Sequence, residues 1–239
     1  SFVYDSALVS KNPELRTPFS LTGGVKLDKS GQLQCTSCHD AHDDKNGKFL
    51  RMSAAEAHNC SSCHIKNGWS NSSHSQSTAT WNRALPNPWG HADFNNVAMN
   101  ACRNCHRVHG AGGKRLLNYA NEESNCLTCH NGHVDKKNIE AEFNKASIHP
   151  IKNTAGVHDP TEPALIRSSR HVECTDCHNP HAANNRNDLV PGALRSIKGI
   201  NANGVEVNPI RYEYELCFRC HAYSGGKAPY ITRQYPEMN

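Results

Sequence analysis

The sequence predicts a mostly irregular chain with short α-helices and one small β-hairpin, built around a core that its own side chains do not supply. Three observations carry this. One pentapeptide, C-x-x-C-H, occurs six times. Val, Ile, Leu and Phe together make 40 of the 239 residues, close to the range in which a chain cannot bury enough apolar surface to fold alone. Prolines and glycines recur throughout (12 and 16), which leaves little room for long helices.

The six pentapeptides are Cys35-Thr-Ser-Cys38-His39, Cys60-Ser-Ser-Cys63-His64, Cys102-Arg-Asn-Cys105-His106, Cys126-Leu-Thr-Cys129-His130, Cys174-Thr-Asp-Cys177-His178 and Cys217-Phe-Arg-Cys220-His221. This is the attachment signature of c-type haem. Two thiols at this spacing each form a thioether to a vinyl group, and the adjoining histidine becomes the proximal iron ligand. Zinc ribbons and redox dithiols also use C-x-x-C pairs, but neither requires histidine immediately afterwards. The motifs consume all 12 cysteines, so no thiol remains for a disulfide or a nucleophile. Six covalently bound haem c groups are expected, and these large flat apolar bodies would form the interior.

Residues 1–34 hold no Cys or His; Ser1 to Tyr4 alternates as a short strand would, and a loose terminus is the other reading. A repeat follows. The first motifs of three pairs begin at 35, 102 and 174, and the second motifs follow after 25, 24 and 43 residues. After each first motif come a histidine three residues on (His42, His109, His181) and an apolar doublet (Phe49-Leu50, Leu116-Leu117, Leu189-Val190). The expected organisation is a haem-free segment 1–34, haem-pair modules 35–100, 101–147 and 148–221, and a haem-free tail 222–239. Residues 65–100, rich in Asn, Ser, Trp and Pro, read as loop. Residues 135–147 read as one helix, with Ile139 and Phe143 one turn apart. The third pair carries an insertion in which Asn203-Gly204 lies between β-branched residues, a hairpin signal. Arg211 to Cys217 reads as a short helix carrying the last motif, and the tail reads as extended.

The formal charge is +4. A bis-imidazole haem with ionised propionates adds roughly −1 when ferric and −2 when ferrous, which brings the total to about −2 oxidised and −8 reduced. With no basic run carrying interleaved aromatics, nucleic acid is not an expected partner. No apolar stretch approaches the ~18 residues of a membrane span. The opening residues read as a mature form after export.

Six irons require six further ligands. Beyond the proximal His39, His64, His106, His130, His178 and His221, ten histidines remain against three methionines, so bis-histidine ligation is expected throughout. His42, His109, His181 and His133 are the first distal candidates. The first three are assigned to the second haem of their own pair. His149 and His171 follow, then His74, His91 and His58, while His158 in Val-His-Asp-Pro reads as a surface turn. The Cys35/Cys38 haem has no upstream histidine, so its ligand comes from downstream or from another subunit.

The order C-x-x-C-H-x-x-H, apolar doublet, C-x-x-C-H resembles the doubled-C-x-x-C-H multihaem cytochromes over residues 35–221, most closely at Ser168 to His181. The resemblance implies a chain of bis-histidine haems with neighbouring porphyrins stacked or edge to edge. Relatives occur in metal-respiring bacteria, and some polymerise into extracellular filaments. The expected function is electron conduction rather than catalysis, as a filament subunit (a nanowire). The expected place is outside the cell or on its surface, alternatively the periplasm. The implied partners are other copies of the chain, redox proteins or extracellular acceptors. A monomeric periplasmic carrier is the alternative. A multihaem reductase of nitrogen oxyanions is less expected, because all six motifs end in His and none leaves an evident open iron face.

Overall fold

A computed structural model describes residues 1–84, 86–90, 94–153, 159, 161–164, 172–186 and 188–221. His91, His158, His171 and the tail 222–239 lie outside the described residues.

Among these residues the helices are short. They are α1 Ser6–Lys11, α2 Cys35–Cys38, α3 His58–Ser61, α4 Ser73–Gln76, α5 Val97–Asn100, α6 Glu122–Leu127, α7 Ile139–Glu142, α8 Cys174–Cys177 and α9 Glu213–His221. Four-residue helices have no stability of their own, so each exists because caps and neighbours hold it. Asp5 caps α1, Ser72 caps α4, Asn96 caps α5 and Asn138 caps α7, each by a side-chain oxygen that accepts a first-turn N–H. This explains one departure from the sequence reading. The Asn- and Ser-rich stretch 65–100 is not loop throughout; it contains α4, α5 and a 3₁₀ turn at Trp69–Asn71, with its polar residues acting as caps. A second departure is 135–147, where only α7 is helical. None of its residues is buried, so no packed face extends it past Glu142.

Two antiparallel ladders complete the secondary structure. β1 Phe2–Val3 pairs with β2 Gln32–Leu33, so the N-terminus is a short strand. The N-terminal segment also reaches the second motif: Arg16 donates from its backbone N to Cys63 O (2.7 Å) and from Nε to Ser61 O (2.9 Å). Gly23, at φ +65°, lies where a Cβ would stand 2.3 Å from Ser62 Oγ. β3 Gly199–Ile200 pairs with β4 Glu206–Val207, the hairpin expected in the third module. β3 packs on α9, and a Cβ at Gly199 would stand 2.6 Å from Glu215 O. The one apolar cluster of buried side chains among the described residues joins Trp89, Val97 and Val134, with Ala79, Trp81 and Cys129 against it. Such a cluster is far too small to hold a chain of this length together.

Candidate haem-binding sites

Each motif is a single turn of helix. The histidine N–H donates to the carbonyl of the first cysteine at 3.0 Å (His39), 2.9 Å (His64), 2.9 Å (His106), 3.0 Å (His130) and 2.9 Å (His178). The last motif lies inside α9. Residues three apart on one helical turn share a face, so the two cysteines of a motif do, with the histidine next to the second. The residue before the second cysteine makes a side-chain hydrogen bond in every motif. Ser37 Oγ accepts from Gln34 N (3.0 Å), and Ser62 Oγ donates to His58 O (2.8 Å). Asn104 Nδ2 donates to Val97 O (2.8 Å), and Thr128 Oγ1 donates to Ser124 O. Asp176 Oδ2 accepts from Glu173 N (2.8 Å), and Arg219 Nε donates to Ala164 O (3.0 Å). Sequence reading passed over these positions because C-x-x-C-H leaves them unspecified.

Four of the motif imidazoles are anchored through Nδ1. Those of His39, His106 and His178 lie on the carbonyls of Lys48 (2.9 Å), Arg115 (3.0 Å) and Ala193 (3.0 Å), and that of His130 on Asp135 Oδ2 (2.9 Å). A ligating histidine typically donates its second N–H in this manner, which fixes the tautomer and leaves Nε2 for the metal. The apolar doublets take part through their backbone. Phe49 O accepts from Asp40 N and Leu116 O from Arg107 N, each at 2.7 Å. Lys48, Phe49, Arg115 and Leu116 hold φ of +54° to +60°, a conformation rare outside glycine and concentrated at functional sites. Their turn returns the Lys48 and Arg115 carbonyls to the imidazoles.

Four motif histidines face a second imidazole. Ring centroids are 6.3 Å apart for His39 and His109, 6.2 Å for His106 and His181, 6.0 Å for His74 and His130, and 6.1 Å for His149 and His221. Two imidazoles on opposite faces of one iron, with metal–nitrogen bonds of about 2 Å, have centroids roughly 6.3 Å apart. The four observed separations match that spacing. Among the described residues no cluster of three or more His, Cys, Asp or Glu forms a tetrahedral cage of the zinc type. The residues fit haem iron.

The pairing corrects the assignment of distal histidines. His109 and His181 face the first-motif histidine of the preceding module, not the second motif of their own. His74 lies past the second motif of its module and meets His130, the second-motif histidine of the next, whereas His149 meets His221, the second-motif histidine of its own module 148–221. His58 and His133 have anchored Nδ1 atoms, on Ala55 O (2.7 Å) and Asn82 Oδ1 (3.2 Å). His42 stands in solvent near Asp40. Among the described residues no imidazole stands opposite His64 or His178.

Burial pushes the imidazoles of His64, His106 and His130 below their ordinary pKa. Burial, with Lys66 and His106 nearby, takes His181 down to about 4. These rings are neutral near pH 7, the form that binds a metal. Burial raises the Cys63, Cys129 and Cys177 thiols to about 11 and Cys105 to about 12, out of the range of a reactive thiolate.

Cysteines of neighbouring motifs also lie within electrostatic reach of one another. Within pairs Cys38 lies near Cys63, Cys105 near Cys129 and Cys177 near Cys217 and Cys220. Between pairs Cys60 meets Cys102 and Cys126 meets Cys174 within hydrogen-bonding reach. Glu122 Oε1, four residues before Cys126, accepts from the N–H and hydroxyl of Thr175 at 2.8 Å each. Arg219 pairs with Asp176 across the last two motifs.

Five of the six motifs lie within matches to a known family. The family model for the doubled CXXCH motif matches residues 29–68, 95–136 and 168–199. The third match ends where the hairpin begins, since the insertion displaces the last motif. The chain is 27% identical to the multiheme cytochrome MtrA of Shewanella baltica, over 85% of this chain and 47% of that protein. It is 27% identical to the high-molecular-weight cytochrome c of Nitratidesulfovibrio vulgaris, over 80% of this chain and 46% of that one. The chain thus spans about half the length of these relatives. No solved structure matches it.

Proposed function

We propose that this chain, a multihaem c-type cytochrome of the doubled CXXCH motif family, relays electrons along six covalently bound, bis-histidine haems as a subunit of an extracellular filament. Twelve cysteines in six pairs would form the thioethers, and His39, His64, His106, His130, His178 and His221 would be the proximal ligands. His109, His181, His74 and His149 would cap the irons of His39, His106, His130 and His221. The observation that carries this reading is the set of four imidazole pairs 6.0–6.3 Å apart. Bound haem supplies reversible one-electron chemistry, its potential lowered by two neutral imidazoles. The chain's part is to space the sites and, at the four paired positions, to hold both axial rings, so that no coordination position is left for a substrate there. That favours an electron-transfer role over the reductase alternative. The alternation of within-pair and between-pair cysteine contacts supports a single file through modules 35–100, 101–147 and 148–221.

Among the described residues no helix is long and apolar enough to cross a membrane. An exported setting, extracellular or at the cell surface, is part of the proposal, with a periplasmic carrier as the alternative. Its partners would be further copies of itself and other redox proteins. The test is the intact protein purified from an assembly-competent host. Mass analysis should add six haems, and reduced spectra should be wholly low-spin. Fewer than six haems, or a majority of high-spin iron in the assembled material, would overturn the reading.

A further inference from the structure

Two of the imidazoles that face a motif histidine, His74 and His181, sit on segments that hold each other. His181 faces His106 and His74 faces His130, so both segments serve the middle module. One segment comes from the module before it in sequence, the other from the module after it.

The contacts run both ways. His74 Nδ1 lies 2.9 Å from the carbonyl of Pro180, the residue next to His181. In return the Trp69 ring meets the His181 ring edge-on, with centroids 6.5 Å apart. Between these contacts Ser73 N donates to Ala183 O at 2.8 Å. The two backbones also approach closely at Gly68, where a Cβ would stand 2.7 Å from the Cβ of the fully buried Ala182. Each segment is tied internally as well. Asn71 N donates to Gly68 O (3.1 Å) and Ser72 N to Trp69 O (2.9 Å), and the fully buried Ser72 accepts from Ser75 N through Oγ (3.1 Å). On the other side Asn179 O accepts from Ala182 N (3.0 Å) and Ala183 N (2.8 Å), and Asn179 Oδ1 accepts from His181 N (3.0 Å). Close-packed contacts of this kind transmit displacement, so a shift in one segment carries the other with it. His74 and His181 are partly buried, whereas His109 and His149 are exposed.

We propose that residues 68–74 and 179–183 form one brace that caps both irons of the middle module as a unit, with Gly68, Trp69 and Ala182 as its positioning residues. An axial imidazole keeps its place through what its other ring atoms touch. Here the anchor of one cap is the backbone beside the other, so the irons of His106 and His130 keep or lose their sixth ligands together. Those of His39 and His221 lose theirs singly. The inference rests on the bis-histidine cytochrome reading above and adds how two of its caps are positioned.

The test uses the full haem-loaded chain, carbon monoxide titration and site-resolved magnetic resonance of the haems. Ala182→Leu keeps every histidine and drives a branched side chain against Gly68. It should bind carbon monoxide at two more haems per chain than wild type, those of His106 and His130. His181→Ala leaves the Pro180 and Ala183 carbonyls in place and should open the His106 iron alone. Trp69→Leu should shift the resonances of both the His106 and His130 haems, and Trp69→Phe, which keeps an aromatic edge, should return both towards wild type. An Ala182→Leu protein that opens neither iron, only one of the two, or the irons of His39 and His221 as readily would overturn the proposal. If Ala182→Leu takes up no haem, Trp69→Leu decides: a shift at the His106 haem alone, or none at either, overturns it. Wild-type protein lacking low-spin haem altogether would instead sink the underlying cytochrome reading.

Discussion

Replacing Arg219 with Met should loosen the joint between the last two haem attachments by about 3–5 kcal/mol, the range for breaking a buried ion pair from one side. Arg219 and Asp176 occupy the residue before the second cysteine of their motifs, and their side chains are 3% and 6% exposed. The guanidinium donates to Ala164 O at 3.0 Å and to the Asp176 carbonyl, and its Nη2 lies 3.6 Å from Asp176 Oδ1. At that separation the attraction is about 4–5 kcal/mol with an effective dielectric of ~20. Formation of the pair costs desolvation, so the net worth of the intact pair is smaller. Truncation is costly because it strands a buried carboxylate and two carbonyls without their donor. The assay is urea unfolding of the haem-loaded protein at neutral pH, followed by haem absorption and far-ultraviolet circular dichroism. Asp176→Asn in the Arg219→Met background should recover a large part of the loss, because it removes the stranded charge. A loss under about 1 kcal/mol, or strictly additive costs in the double variant, would refute the reasoning.

His109→Ala should open the iron of His39 to carbon monoxide, and His181→Ala that of His106, as site-resolved spectra would report; opening of His130 or His221 instead would contradict the observed pairing. Glu122→Ala removes the acceptor of two Thr175 donors and should cost about 1.5–3 kcal/mol in urea unfolding. Gly199→Ala places a Cβ 2.5 Å from Ile210 Cγ2 and 2.6 Å from Glu215 O; overpacking of about 1–3 kcal/mol is expected, seen as a lower midpoint of thermal unfolding. Burial raises the Glu14 carboxyl, but the Lys66 hydrogen bond and charge together with the Asn67 N–H outweigh it, so the net pKa is below the ordinary value. A depressed folded pKa gives stability that is present above the unfolded value and lost as pH falls through the folded one. Lys66→Met should therefore flatten the acid limb of the stability curve below about pH 4.5, by under about 1 kcal/mol because the pair is half-exposed.

The attachment chemistry was legible because it is local. A thiol, two spacers, a thiol and a histidine within one helical turn specify haem c wherever they occur, and six copies leave no cysteine over. The hairpin was legible for the same reason, since Asn203-Gly204 carries its own turn preference. The caps within 65–100 were misread as loop, because Ser and Asn signal both and only the neighbouring packing separates them. The doublets were read as apolar, yet Phe49 and Leu116 are about half-exposed and it is their backbone that serves the site.

Composition and motif spacing by themselves pointed to covalently bound haem c, the three-fold repeat of paired motifs and ten histidines beyond the six within the motifs. Tertiary structure decided which imidazole meets which. The partners His39–His109 and His106–His181 are separated by 70 and 75 residues, so no local preference links them. Their meeting depends on how one module seats on the next, through contacts such as Glu122 to Thr175 and Cys126 to Cys174. A turn of helix is encoded by adjacent residues, whereas an axial pair is created by the packing of two turns that the chain brings together from a distance.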